Sequence, residues 1–160
     1  MPRCRLIVGT MWMALLVSAC PLGTHGPRPS GYAVFAQEFE FHGLPLTIKP
    51  GTFAIDFSNE ESFPVSHEMV VVRLPAGKTV LDVAESAKAS GCQDGAPCEE
   101  EWQHVGAIRD VHTGITQKGV FDLRPGTYAF VWWRTGTQQG RENGPAHASL
   151  GMVFEFDVSS

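Results

Sequence analysis

Apolar and polar residues alternate with a period of two through most of this chain, and tight turns separate the alternating stretches. Phe53, Ile55 and Phe57 alternate with Ala54, Asp56 and Ser58 after the turn Lys49-Pro50-Gly51. Residues 34–41 (VFAQEFEF) predict a strand with Phe35, Phe39 and Phe41 on one face and Glu38 and Glu40 on the other. Residues 68–74 are rich in β-branched side chains, which suit a pleated surface. A short strand over 120–123 precedes the turn Arg124-Pro125-Gly126 and a strand over 128–133. Residues 152–158 close the chain with Phe154, Phe156 and Val158 on one side. Six or more short strands with Pro-Gly turns predict an all-β sandwich or barrel. One segment departs from this pattern. Val80, Val83, Ala84 and Ala87 recur at helical spacing and predict a single helix over residues 79–90, stopped by Gly91. Residues 136–144 read as a polar loop between the last two strands.

Hydrophobic residues make up 43% of the 160-residue chain and charged ones 18%, enough apolar material for one packed domain. The net charge of −5 and the lack of a basic patch exclude nucleic acid as the main partner. The amino terminus reads as an address. Arg3 and Arg5 precede an apolar run over residues 6–17 that is short for a membrane span. Val17-Ser18-Ala19-Cys20 resembles the lipobox of bacterial lipoproteins. That resemblance implies a signal peptide over 1–19, cleavage before Cys20, lipidation of Cys20, and an anchored protein in the cell envelope. An ordinary cleaved signal is the alternative. Removing Arg3 and Arg5 takes the formal charge from −5 to −7. Residues 20–30, rich in Pro and Gly, read as a flexible tether, and the domain occupies 31–160.

Cys92 and Cys98 then remain, in a Gly/Pro-containing loop and an oxidising compartment, which predicts a disulfide. So short a ring contributes only about 2 kcal/mol in the loop-entropy account, so it pins a loop rather than making the fold. A zinc site adding His104 and His112 is the alternative, at a spacing that matches no zinc pattern.

Four residues carry the chemistry: His67, Trp132, His147 and Met152. Phe57-Ser58-Asn59 ends a strand, and a short loop leads to His67-Glu68 at the start of the next. Pro125-Gly126-Thr127-Tyr128 turns into a strand, and His147-Ala148-Ser149-Leu150-Gly151-Met152 leads into the last one. In these pieces the chain resembles the cupredoxins, the small Greek-key β-sandwich copper proteins. The resemblance implies a cupredoxin-like sandwich with one short helix, and copper held by His67, His147 and Met152. Its five-residue His-to-Met step matches the family. At the family's cysteine position, four residues after Tyr128, stands Trp132. Without a thiolate the trigonal blue-copper site does not form.

Imidazole suits copper and thioether selects Cu(I), while an indole face attracts a cation. Trp132 is therefore a candidate cap over a His67/His147/Met152 site. Neighbours on a strand face opposite ways, so only one of Trp132 and Trp133 can face that site. Each residue also has a plainer reading. His67 would be a strand histidine, His147 a solvated loop residue, Met152 core packing and Trp132 core filling. His25, His42, His104 and His112 read as solvated. No nucleophile elbow, P-loop or His-Glu-x-x-His pattern appears, which argues against an enzyme. The acidic residues 99–101 beside Trp102 read as a solvated loop, or as a docking face for a basic partner. The reading is a lipid-anchored copper-binding protein in copper handling or electron-transfer support, with a protein partner. The alternative is a metal-free cupredoxin-like interaction module.

Overall fold

The structure, a computed structural model, describes residues 30–89, 102–133, 137–138, 141–142 and 145–160. The signal, tether, lipidation and disulfide expectations at residues 1–29, Cys92 and Cys98 lie outside the described residues, as do residues 99–101. Among the described residues no helix is long and apolar enough to cross a membrane.

The alternating stretches form two sheets. One holds β2 (Glu40–His42), β1 (Ser30–Gln37), β4 (Gly51–Asn59) and β7 (Thr116–Leu123), in that order. The other holds β3 (Thr47–Ile48), β11 (Val153–Val158), β8 (Gly126–Val131), β5 (Ser66–Arg73) and β6 (Gln103–His112). β1 runs parallel to β4, and β3 parallel to β11, while the other pairs are antiparallel. Phe53, Ile55 and Phe57 of β4 and Phe156 and Val158 of β11 point inward, into a core that also takes Met69, Val71, Phe130 and Trp132. This is the expected all-β sandwich.

A second apolar cluster lies on the other face of the five-stranded sheet. There α1 (Val80–Ala89) sets Val83 and Ala87 against Val70, Val72, Val131 and Trp133. The helix starts where predicted because Asp82 accepts from both the Thr79 N–H (2.9 Å) and the Thr79 hydroxyl (3.2 Å), one half of a capping box on the first turn.

Two expectations are corrected, and one strand is new. The run over 34–41 is a hairpin, not one strand. It turns at Glu38 and Phe39, both at positive φ (52° and 61°), the backbone of a two-residue hairpin loop. Val34 and Ala36 are the inward residues of β1, and Phe35 stacks on His42 (5.0 Å between ring centres) on the other side. β6 is a strand that alternation does not reveal. The step from His67 to Met69 on β5 is matched by Val111 to Ile108 on β6, one residue longer, so Asp110 (φ 55°) sits in a bulge. The bulge puts both Ile108 and Val111 inside while breaking the period of two. Finally, the loop over 136–144 contains a small antiparallel pair, β9 (Thr137–Gln138) with β10 (Arg141–Glu142).

The ends of β4, β5 and β6 are tied by one side chain. Asn59 is fully buried, and its Nδ2 donates to the carbonyls of Val65 (2.8 Å) and Val111 (2.9 Å). Its Oδ1 accepts from the Glu61 N–H (3.2 Å). Its main chain pairs with Ile115 and Gly114 of the β6–β7 turn. Replacing Asn59 by Ala removes three buried hydrogen bonds at once. The expected cost is about 2–4 kcal/mol, read as a lower urea midpoint at unchanged slope. A loss below about 0.5 kcal/mol, the scatter of ordinary surface changes, would contradict this role.

Candidate metal centre

His67 is the second residue of β5, and alternation along that strand sends it inward with Met69 and Val71. Its side chain is fully buried. His147 opens a single 3₁₀ turn (η1, His147–Leu150) that precedes β11, and it too is buried. Trp132 follows the end of β8. The main chain ties these three segments together. The Ala148 N–H donates to the Trp132 carbonyl (2.7 Å), the Met152 N–H to the His147 carbonyl (3.0 Å), and the Trp132 N–H to the Met152 carbonyl (3.3 Å). Gly151, at φ 110°, lets the chain leave the turn into β11.

Three aromatic rings meet as a result. The ring centres lie 4.4 Å apart for His67 and Trp132, 4.8 Å for Trp132 and His147, and 5.4 Å for His67 and His147. Phe39, carried on the hairpin turn, closes the other side of His147 edge-on at 4.7 Å. Met152 is fully buried in the same core as Trp132. Trp133 faces the opposite way, into the cluster under α1.

The hydrogen bonding of His67 is asymmetric. Its Nε2 lies 2.8 Å from Glu61 Oε1, and Nδ1 is buried with no hydrogen-bond partner among the described residues. Trp132 Nε1 is likewise buried without one. Glu61 is buried as well and accepts twice more, from the Phe39 N–H at Oε1 (3.3 Å) and the Glu38 N–H at Oε2 (3.1 Å). Burial alone would raise its pKa. The hydrogen bonds from His67, Glu38 and Phe39 outweigh that and hold it below the usual carboxylate value. Burial lowers the pKa of His67, and Glu61 only partly offsets this, which favours the neutral imidazole; facing a carboxylate, Nε2 is the ring nitrogen that donates. His147 is pushed down to about 4, first by burial and then by repulsion from His67, with Glu61 pulling the other way.

A copper ion is the group this fold family implies, and the donor chemistry can be tested against it. A bare, buried ring nitrogen beside a second neutral imidazole is the state a metal ligand needs. Among the described residues no three side chains of His, Cys, Asp or Glu are grouped to hold a metal. Two buried imidazoles meet here, and Met152 is buried in the same core as Trp132; imidazole and thioether are donor types that suit a soft monovalent ion. His67 and His147 thus come to one corner with Trp132, and Met152 is tied to His147 and Trp132 through the main chain. His104 and His112 do not join it. They lie on β6, His112 Nδ1 2.7 Å from the Ser66 hydroxyl. The zinc alternative rests on Cys92 and Cys98, which lie outside the described residues. Trp102 is not part of an exposed face. It is buried, with Nε1 3.3 Å from the Ser86 hydroxyl of α1.

Sequence reading missed Glu61 and Phe39 as parts of this corner. Glu61 stands in the short loop between Asn59 and His67, where a carboxylate so close to a candidate ligand was the available signal. Phe39 was assigned to a strand that is in fact a turn.

No protein-family model matches the sequence, and no curated protein matches it at a significant level. Solved structures do match. Dithionite-reduced auracyanin from the photosynthetic bacterium Roseiflexus castenholzii is 21% identical at a TM-score of 0.55, covering 83% of this chain and 99% of its own. Auracyanin B is 19% identical at 0.56, covering 84% and 92%.

The depressed histidine pKa values set a pH dependence for the metal-free protein. Unfolded His147 binds its proton near 6.5, and folded His147 only near about 4. Its neutral form therefore contributes fully above about pH 6.5, and that stability is lost as pH falls toward 4, by about 3 kcal/mol in all. Denaturant midpoints between pH 7.5 and 4.5 should fall for the wild type and fall less for His147→Gln. Identical profiles would contradict a buried neutral imidazole at this position. Two sheets of this order and register, one short helix and these structural neighbours make the chain a cupredoxin-like β-sandwich.

Proposed function

We propose that this domain binds copper outside the cytoplasm, as Cu(I), through His67, His147 and Met152, with Trp132 as the wall of the site. The observation that carries this reading is the meeting of two buried imidazoles, 5.4 Å between centres, with Trp132 at the segment that leads to Met152. No other buried histidines occur among the described residues. The fold supplies the rest of the argument. A rigid sandwich holds one ligand on β5 and two around the turn before β11, so packing and not the metal sets their positions.

The donor set directs the activity. Two imidazoles and a thioether stabilise Cu(I), and Trp132 offers its π face to a cation. Trp132 stands at the family's cysteine position, so binding, storage or transfer of copper fits better than fast electron relay through a strongly coloured thiolate centre. A transfer role implies a protein partner that delivers or receives the ion. The lipobox-like Val17-Ser18-Ala19-Cys20 supports a membrane anchor through lipidated Cys20, with the domain facing the periplasm or cell exterior.

Competition titration with Cu(I) chelators tests the reading. Wild type should hold Cu(I) more tightly than Cu(II). His67→Ala and His147→Ala should each lose about 100-fold or more in Cu(I) affinity, the upper end of what even an outer-shell change costs. Met152→Ala should lose Cu(I) affinity with little effect on Cu(II). Equal Cu(I) affinity in wild type and the double histidine variant would leave a metal-free interaction module as the better description.

A further inference from the structure

A thiolate brings a copper site one negative charge as well as a ligand. Trp132 brings neither. Two neutral imidazoles and a thioether around Cu(I) would leave one positive charge in a dry interior, where an uncompensated charge is costly. The structure places a carboxylate one bond further out. Glu61 is 5% exposed, and its oxygens accept only from N–H groups: the imidazole of His67 and the main chain of Glu38 and Phe39. Three donors and no acceptor around a carboxyl group call for the ionised form. The other buried carboxylate nearby, Glu68, points to the opposite face of β5, where Arg109 meets it at 3.0 Å. Its charge is already matched.

We infer that Glu61 is the positioning and charge-balancing residue of the site, resting on the copper reading above. By taking the Nε2 proton of His67 it leaves Nδ1 as the ligating atom. By supplying one negative charge it makes the site neutral with a monovalent soft cation and net positive with a divalent one. The hydrogen bond couples the two roles, because a carboxylate partner makes the ligand nitrogen more basic. The same carboxylate holds the Glu38–Phe39 turn, so the wall over His147 and the charge under His67 share one anchor.

The test follows the histidine ring nitrogens of the full chain in detergent by NMR, with Ag(I) as a redox-inert monovalent probe and Zn(II) as a divalent one. Reading the rings themselves keeps binding at cysteine thiols out of the signal. In the metal-free wild type, His67 should be the Nε2–H tautomer. Ag(I) should shift the rings of both His67 and His147, and Zn(II) should do so only at much higher concentration. Glu61→Gln retains an acceptor for the Nε2 proton. It should keep the tautomer yet bind Ag(I) about 10- to 100-fold more weakly, the usual range for an outer-shell ligand partner. An Nδ1–H tautomer in the wild type overturns the inference without any metal, and so does Zn(II) binding as tight as Ag(I), even where Glu61→Gln does not fold. Equal Ag(I) affinity in wild type and Glu61→Gln overturns the charge-balancing role alone. No Ag(I) shift of either ring in the wild type overturns the copper reading itself.

Discussion

The carboxylate of Glu61 is the point on which the site depends. It is a buried charge, and such a group persists only where hydrogen bonds replace its water. Three N–H groups do so here, from two different parts of the chain. One of these parts is a hairpin turn with two successive non-glycine residues at positive φ, a conformation that side chains disfavour. The carboxylate holds that turn in place by taking both of its N–H groups. The other part is His67, whose orientation follows from which ring nitrogen the carboxylate occupies. Glu61 in turn is set by Asn59, which accepts from its N–H and ties the ends of β4, β5 and β6 together. A strand end, a loop, a turn and a ring thus form one hydrogen-bonded unit at one end of the sandwich.

The sandwich explains why this unit can be so buried. Phe53, Ile55, Phe57, Phe130 and Phe156 fill the space between the sheets, so His67 enters the sandwich where apolar side chains already bury it. The second cluster, under α1, then fixes the other side of β5 and β8. Trp132 and Trp133, adjacent in sequence, serve the two clusters separately. One indole walls the histidine corner and the other locks the helix to the sheet. A nitrogen ligand must be unprotonated to bind a metal, and burial lowers the pKa of both imidazoles.

Much of the fold was legible because local and global preferences agree. β4 and β11 have clean alternation, tight turns and inward phenylalanines, and the helix carries its own cap. Legibility failed where hydrogen bonds to distant residues decide the backbone. Residues 34–41 alternate as well as β4 does, yet the chain turns at Glu38 because Glu61, 23 residues later, captures the turn. Alternation in β6 is broken by a bulge at Asp110, so Ile108 and Val111 share a face that their spacing denies. The histidines, Met152 and Trp132 were visible as family-like positions. Glu61 was not, since its role exists only once the loop brings it back onto His67.

X-ray absorption of the Cu(I)-loaded protein bears most directly on the central claim, that a thiolate-free corner of this sandwich holds a monovalent soft ion. The account predicts scattering from two imidazole nitrogens and one thioether sulfur, with the imidazole contribution lost in the His67→Ala/His147→Ala variant. A spectrum of short thiolate sulfurs alone, unchanged in that variant, would contradict it.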